Sequence, residues 1–340
     1  MRLELIEQCL LCLSPGVALY KGLRDRLFYV QGEYNFYRCP NCGFIWLNPR
    51  PIQEDISECY KNYYTHQFIQ VRGENTFRKL RQRIRLLILH ARYGVPLGNC
   101  AKSAFLLGWT LSKIPSLRHR AAYAEGVFPP WTGNGRLLDI GCGNGFFLSF
   151  MKKIGWQVFG VEIDVESARI ARDANQAPVF IGTLDKANFP GESFDAITMN
   201  HVIEHIANPF DLLKESYRVL AGGGYLCIAT PNIQSLGHGI FRKYWLPLDP
   251  PRHLYLWNCA NLKQVVRKAG FHIVWCKTSS LNVSSIFAQS RDIKISGRTD
   301  CKTTTSFGLR LATWLEVIMN LFTHRCGEEI WLLARKEIQE

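Results

Sequence analysis

From about residue 131 to the C-terminus, short apolar runs alternate with stretches whose apolar residues recur every three or four positions. The runs Arg136–Ile140, Gln157–Glu162, Val179–Ile181, Phe194–Met199 and Tyr225–Thr230 read as strands. Phe271–Trp275 and Glu329–Arg335 read as a sixth and a last. Between them, Phe147, Leu148 and Met151 mark one helix, and Phe210, Leu213, Tyr217 and Leu220 mark another over Pro209–Leu220. Gly222-Gly223-Gly224 is expected to end that helix, because glycine takes the left-handed cap cheaply. A further helix runs from Leu262 to Ala269, capped by Gly270. Repeated βα units predict an α/β domain over 131–340 with a mostly parallel sheet. Two stretches, near 233–258 and 278–326, are too long for simple connections and are expected to form lids or an acceptor wall.

Ahead of this region the pattern changes twice. Residues 1–60 show little helical periodicity, many aromatics and two Cys-x-x-Cys pairs. Residues 61–130 read as basic helices, with Phe77, Leu80, Ile84, Leu87, Ile88 and Ala91 on one face and Arg78, Lys79, Arg81, Arg83 and Arg85 on others.

Charge then becomes informative. The 340 residues carry a net charge of +13, and 72–120 hold eleven Lys or Arg against Glu74 alone. A localised basic surface points to an anionic partner: a phosphorylated or lipid-linked small molecule, a membrane face reached through 72–120, or nucleic acid. The first reading of these helices is that they pack on the C-terminal domain with a solvated basic side; Phe105-Leu-Leu-Gly-Trp109 nearby puts the membrane ahead of nucleic acid as a partner. Glu4 and Glu7 interrupt any secretory core, and glycines with Pro231 break the longest uncharged run. Twelve cysteines without a signal peptide suggest thiols in a reducing compartment, so a cytoplasmic chain is expected.

The chemistry concentrates where the first strand meets its helix, at Asp139-Ile-Gly141-Cys142-Gly143-Asn-Gly145. Glycines there let the backbone turn sharply and approach a ligand. A dinucleotide fingerprint would need a third glycine at Phe146, so that rival fails. An acid before the first glycine suits a ligand with an amino group and a sulfonium. Glu162, at the tip of the second strand in Gly160-Val-Glu162-Ile163-Asp164, suits ribose hydroxyls. After the third strand comes Ile181-Gly-Thr183-Leu184-Asp185, and after the fourth Asn200-His201-Val-Ile-Glu204-His205. The last also matches the H-x-x-E-H of inverted zinc peptidases, but its place after a strand in an ordered series argues against that chemistry.

Together with the triple glycine and Thr230-Pro231-Asn232, this ordered set resembles the class I S-adenosylmethionine-dependent methyltransferases over about 131–275. The resemblance implies a Rossmann-like, seven-stranded sheet with helices on both faces and S-adenosylmethionine as donor. It implies that Asp139, Gly141 and Gly143 contact the methionine end, Glu162 the ribose, and Thr183 with Leu184 the adenine border. Cys142, Ile163 and Asn200 are placed in the same donor site. Thr183 stands where family members often carry Asp, so its contact would come from backbone or hydroxyl. The histidine-rich turn lines the pocket in many such enzymes, which makes His201 and His205 catalytic candidates. His253, in the aromatic stretch Tyr244–Tyr255, is the further candidate base outside that turn.

Cys9-Leu-Leu-Cys12 and Cys39-Pro-Asn-Cys42-Gly43 have 26 residues between the pairs. Four thiolates so arranged suit a closed, structural Zn2+ site; a redox dithiol would use one pair at a helix start. Leu13 stands where the first knuckle would favour glycine. The module is similar to the zinc-bearing N-terminal part of bacterial sugar C-methyltransferases and other methyltransferases of surface-glycan clusters. A further C-terminal domain normally follows in those enzymes, and this chain leaves no room for one, so a sugar is one candidate acceptor and C-methylation is not expected. The functional expectation is therefore methyl transfer to a small or lipid-linked anionic acceptor. An RNA methyltransferase gripping RNA through the basic helices, and a donor-binding scaffold without turnover, are the alternatives.

Overall fold

The computed structural model describes residues 1–60, 76–97, 102–114, 117, 121, 127–299 and 307–338, with the backbone alone at 53, 54, 57, 60 and 76–79. Arg72, Arg118 and Arg120 of the basic stretch, and 300–306 of the second long connection, lie outside the described residues.

The N-terminal part forms β1 (Leu3–Glu4), β2 (Val17–Leu23), β3 (Tyr34–Arg38), β4 (Ile45–Leu47) and β5 (Arg50–Pro51). Two helices follow, α1 (Thr76–Tyr93) and α2 (Lys102–Ser112). The C-terminal region then alternates β6 (Arg136–Ile140), α3 (Phe146–Lys153), β7 (Gln157–Glu162), α4 (Val165–Asn175), β8 (Val179–Ile181), β9 (Phe194–Asn200), α5 (Pro209–Val219) and β10 (Leu220–Pro231). It closes with α6 (Leu236–Phe241), β11 (Tyr255–Leu256), α7 (Cys259–Lys268), β12 (His272–Ser279), α8 (Val283–Ser296), α9 (Phe307–Thr323) and β13 (Glu329–Arg335).

Seven strands lie in the order β12-β13-β10-β9-β6-β7-β8. All neighbouring pairs from β8 to β10 are parallel, while β13 runs antiparallel to both β10 and β12. This is the Rossmann-like α/β sheet expected. Leu137, Leu138 and Ile140 of β6, with Ala196, Ile197 and Met199 of β9, are buried, as strands covered on both faces require. The chain steps outward from β6 to β8 and then returns to β9 on the other side. The carboxyl ends of β6 and β9 therefore flank the crevice where such sheets bind ligands. Helices start on side chains that accept orphan amides: Asp164 from Ser167 N at 2.7 Å, and Asn258 from Asn261 N at 2.8 Å.

The triple glycine does not cap α5. Leu220 ends that helix in an extended conformation and already belongs to β10. The glycines absorb a register shift between Leu220 and Tyr225, with Gly223 at φ 79°. A side chain at Gly224 would meet the Asp195 carbonyl at 2.9 Å, so the sequence needs glycine for strand packing.

The first long connection is not a lid over open space. Trp245, Leu248, Arg252, Leu254 and Trp257 are buried, and β11 joins β4, β3 and β2 as the edge of a four-stranded sheet. Residues 1–60 thus share one apolar core with the C-terminal region, including Phe36, Trp46, Met199 and Ile228. The Arg252 guanidinium, 1% exposed, donates to Asp25 at 2.8 and 2.7 Å and also pairs with Asp249. A buried cation held by two carboxylates from distant segments fixes their register.

The α1 helix is rotated from the face expected. Ile88 and Leu89 are buried, whereas Leu80 is 56% exposed. Arg85 turns inward, lies 3.7 Å over the Phe150 ring and donates to the Ala121 carbonyl at 2.8 Å. Arg81 and Arg83 remain exposed.

Candidate active site

The turn after β6 is built by glycines in the left-handed region. Gly141 has φ 67°, and a side chain there would meet Val202 at 2.6 Å. Gly145 has φ 79°, and a side chain there would strike Asn175 and Ala171 of α4. The turn is therefore locked between the fourth strand's exit and a neighbouring helix.

Two buried carboxylates face this turn from adjacent strands. Asp139 is 3% exposed and accepts from the Thr198 hydroxyl at 2.6 Å. Burial raises its pKa to about 7, against the pull of that hydrogen bond. Glu162, at the tip of β7, accepts Gly143 N–H at 2.8 Å and Asp164 N–H at 2.9 Å. Burial also raises its pKa, despite those backbone bonds. Each carboxylate oxygen has a second lone pair, so Glu162 can still accept hydroxyl protons.

Ile163 stands 47% exposed beside Glu162, an apolar surface fit for a flat ring. Thr183 is half-buried beyond β8. Leu184, by contrast, is 2% exposed and packs in the main core. Cys142 is likewise turned inward: its thiol lies where a side chain at Gly160 would meet it at 2.7 Å, and its N–H bonds Val161 O. It shapes the turn. At the exit of β9, both polar atoms of the Asn200 amide are enclosed and have no partner among the described residues. Leaving an enclosed amide unsatisfied costs about 1–3 kcal/mol per group, which a polar ligand atom would offset.

His201 follows with φ 55°, a left-handed conformation unfavourable for its side chain. Its ring is 42% exposed and lies 3.4 Å from Glu204 Oε1 and 3.5 Å from Glu329 Oε1. Desolvation on the packed side of the ring disfavours its charged form, but the two carboxylates outweigh it and raise its pKa well above the usual histidine value. Glu204 is buried and accepts from the Thr230 hydroxyl at 2.9 Å; burial would raise it, but His201 and neighbouring imidazoles hold it at about 2. Glu329 is held down in the same way, and Asn282 donates to it at 2.7 Å.

His205 and His253 sit behind this pair. His205 Nδ1 bonds the Arg252 carbonyl at 3.0 Å, and burial followed by His253 lowers its pKa to about 4. His253 is 8% exposed, with Nδ1 on the Pro247 carbonyl at 2.7 Å. The two rings meet edge-on at 4.7 Å, so His253 packs against the turn whereas His201 opens to solvent. Sequence reasoning missed Glu329 and Thr198 as site residues. The readable signals were an acid heading an apolar strand and a hydroxyl inside another.

At the far end of the shared sheet, the sulfurs of Cys9, Cys12, Cys39 and Cys42 converge within 4.8 Å of one another. Leu13 and Gly43 take left-handed conformations at φ 60° and 72° in the two knuckles. Leu11 N and Cys42 N each lie 3.4 Å from a cysteine sulfur, Cys9 and Cys39 respectively.

Residues 111–275 match the methyltransferase domain family, and the sheet order, glycine turn and paired acids fit a class I S-adenosylmethionine-dependent methyltransferase domain. Among individual proteins, a ubiquinone biosynthesis O-methyltransferase of Cereibacter sphaeroides is 30% identical over 146 residues, 40% of this chain and 59% of that protein. A probable S-adenosylmethionine-dependent methyltransferase of Mycolicibacterium smegmatis is 28% identical over 138 residues, covering 40% of this chain and 52% of that one. The chain thus spans between half and two thirds of these relatives' lengths. A solved S-adenosylmethionine-dependent methyltransferase from Archaeoglobus fulgidus has a TM-score of 0.43 at 22% identity, covering 65% of this chain and 92% of that one.

Proposed function

We propose that the protein transfers a methyl group from S-adenosylmethionine to a hydroxyl of a small or lipid-linked anionic acceptor, sugar intermediates included. The observation that carries this reading is the crevice at the ends of β6 and β9. Two buried carboxylates, a glycine turn and the unpartnered Asn200 amide converge there. The donor supplies a methyl group on a sulfonium, already activated for displacement. In this reading Asp139 holds the donor's amino group and Glu162 accepts from its ribose hydroxyls. Ile163 and Thr183 flank the adenine, and Asn200 binds a polar edge.

His201 would take the proton from the acceptor hydroxyl, because its ring opens to the crevice while Glu204 and Glu329 stabilise the resulting cation. The O-methyltransferase among the relatives favours an oxygen acceptor. Structural Zn2+ would be held by Cys9, Cys12, Cys39 and Cys42, whose four sulfurs suit a tetrahedral site with no open position. Membrane contact through 72–120 is supported by exposed Phe105, Leu106, Leu107 and Trp109 beside exposed Arg81, Arg83, Lys102 and Lys113.

The test is incubation of the zinc-loaded protein with methyl-labelled donor and a fractionated cell extract. Label should enter a small-molecule or lipid fraction and vanish with His201→Asn. Label in RNA, or none while the donor still binds, would overturn the reading.

A further inference from the structure

Helix α9 reverses the usual order of a surface helix. Two of its polar side chains point inward: Glu316 is fully buried, and Asn320, 8% exposed, donates to the Thr278 carbonyl at 2.9 Å. Its outward face carries Phe307, Leu311, Trp314, Leu315, Ile318 and Phe322, each about half exposed or more, with Phe307 and Phe322 at 84%. These positions recur at three and four residues, so they form one continuous apolar stripe. A stripe of this kind on a water-facing helix marks a docking surface.

Its surroundings indicate the partner. Among the described residues, the exposed charges on α8 and α9 and just beyond them are Lys294, Arg298, Arg310 and Arg325, all positive. The acids of the same two helices, Asp292 and Glu316, are 5% and 0% exposed. An apolar stripe rimmed by cations is complementary to a bilayer surface bearing anionic headgroups. A second copy of the chain would bring two positive rims together. At 17 residues α9 is about 25 Å long, and no described helix is long and apolar enough to cross a membrane.

We infer that α9 is an in-plane membrane anchor, seating the protein on an anionic lipid surface through Trp314, Ile318 and Phe322. This surface is separate from the basic α1–α2 region, and its test does not depend on methyl transfer.

The experiment is flotation of the full-length protein with vesicles of phosphatidylcholine alone or mixed with phosphatidylglycerol. The mixed vesicles should carry the protein. Trp314→Ser with Phe322→Ser should weaken partitioning by about tenfold or more. Lys294→Glu with Arg298→Glu should weaken it on anionic vesicles only. Brominated lipid should quench a tryptophan signal that Trp314→Phe removes while still floating, so a folding defect cannot imitate the result. No flotation of the unaltered protein, or unchanged flotation of the double serine variant, would overturn the inference. A dimer that the same variant disperses would overturn it too, giving the face to a second copy.

Discussion

Replacing Glu162 by glutamine tests the donor site at the side chain on which most of its geometry converges. Glu162 holds Gly143 N–H at 2.8 Å and Asp164 N–H at 2.9 Å, and in the proposed complex it also accepts from the ribose. Glutamine keeps the shape but turns one oxygen into a donor, so one face of the clamp meets another N–H. A hydrogen bond to a charged group contributes about 1.5–3 kcal/mol. Losing one ribose bond should therefore raise the donor dissociation constant about 10- to 150-fold. Calorimetry should show the same loss for the donor, its demethylated product and adenosine, because all three share the ribose. Asp139→Asn should weaken the first two and spare adenosine. Thermal unfolding of the ligand-free variants establishes that the fold persists. Donor affinity within about twofold of the original, on folded Glu162→Gln protein, would refute the assignment.

Four further outcomes follow from the structure. At saturating donor, turnover should rise on the alkaline side with an apparent pKa well above 6.5, because Glu204 and Glu329 favour the charged His201 ring and a base must be neutral. Glu329→Gln should move that limb downward; a limb at or below 6.5 in the unaltered protein would contradict the role. The raised His201 pKa also implies folding stability fully present below about 6.5 and lost as pH climbs through the folded value, visible as a lower melting temperature that His201→Asn abolishes. Removing metal with a chelator, or Cys39→Ser, should release one zinc per chain and lower the melting temperature, whereas metal analysis finding no zinc would dismiss the site. Leu13→Gly should stabilise the protein by about 0.5–1 kcal/mol, since Leu13 is 69% exposed at φ 60° and loses little packing; denaturant unfolding measures it.

The strand-end turn and the two carboxylates beside it were legible because their signals are local. Asp139, the glycine turn and Glu162 lie within 24 residues and each sits at the end of a strand whose apolar run is visible in the sequence. The seven strands were legible for the same reason. What escaped reading depends on pairing across the chain. The two-residue strand β11 has no pattern of its own and exists because β4, about two hundred residues earlier, supplies its partner. Arg252 reads as a surface cation until Asp25 is brought against it. His253 looked like a candidate base from its type and loop, but its neighbours are Pro247 and His205. The triple glycine misled because a helix cap and a strand bulge demand the same residue.

Those long-range pairings also explain how the N-terminal module bears on catalysis. The knuckles lead into β3 and β4; Leu47 N–H of β4 donates to the Leu254 carbonyl at 2.9 Å, and Leu254 N–H donates to the Glu204 carbonyl at 2.8 Å. Arg50, at the start of β5, donates to the Ala207 carbonyl at 3.1 Å, and Tyr255 O–H reaches the same carbonyl at 2.9 Å. The backbone of the 204–207 turn is thus held from the cysteine side, and that turn carries the carboxylate facing His201. His201 keeps its left-handed conformation only while the turn around it is over-determined. Loosening the knuckles should therefore act on the candidate base more than on Asp139 and Glu162, which belong to strands on the other side of the switch point. Cys39→Ser should accordingly depress turnover more than donor affinity. Equal losses in both would mean that the module merely holds the whole domain folded.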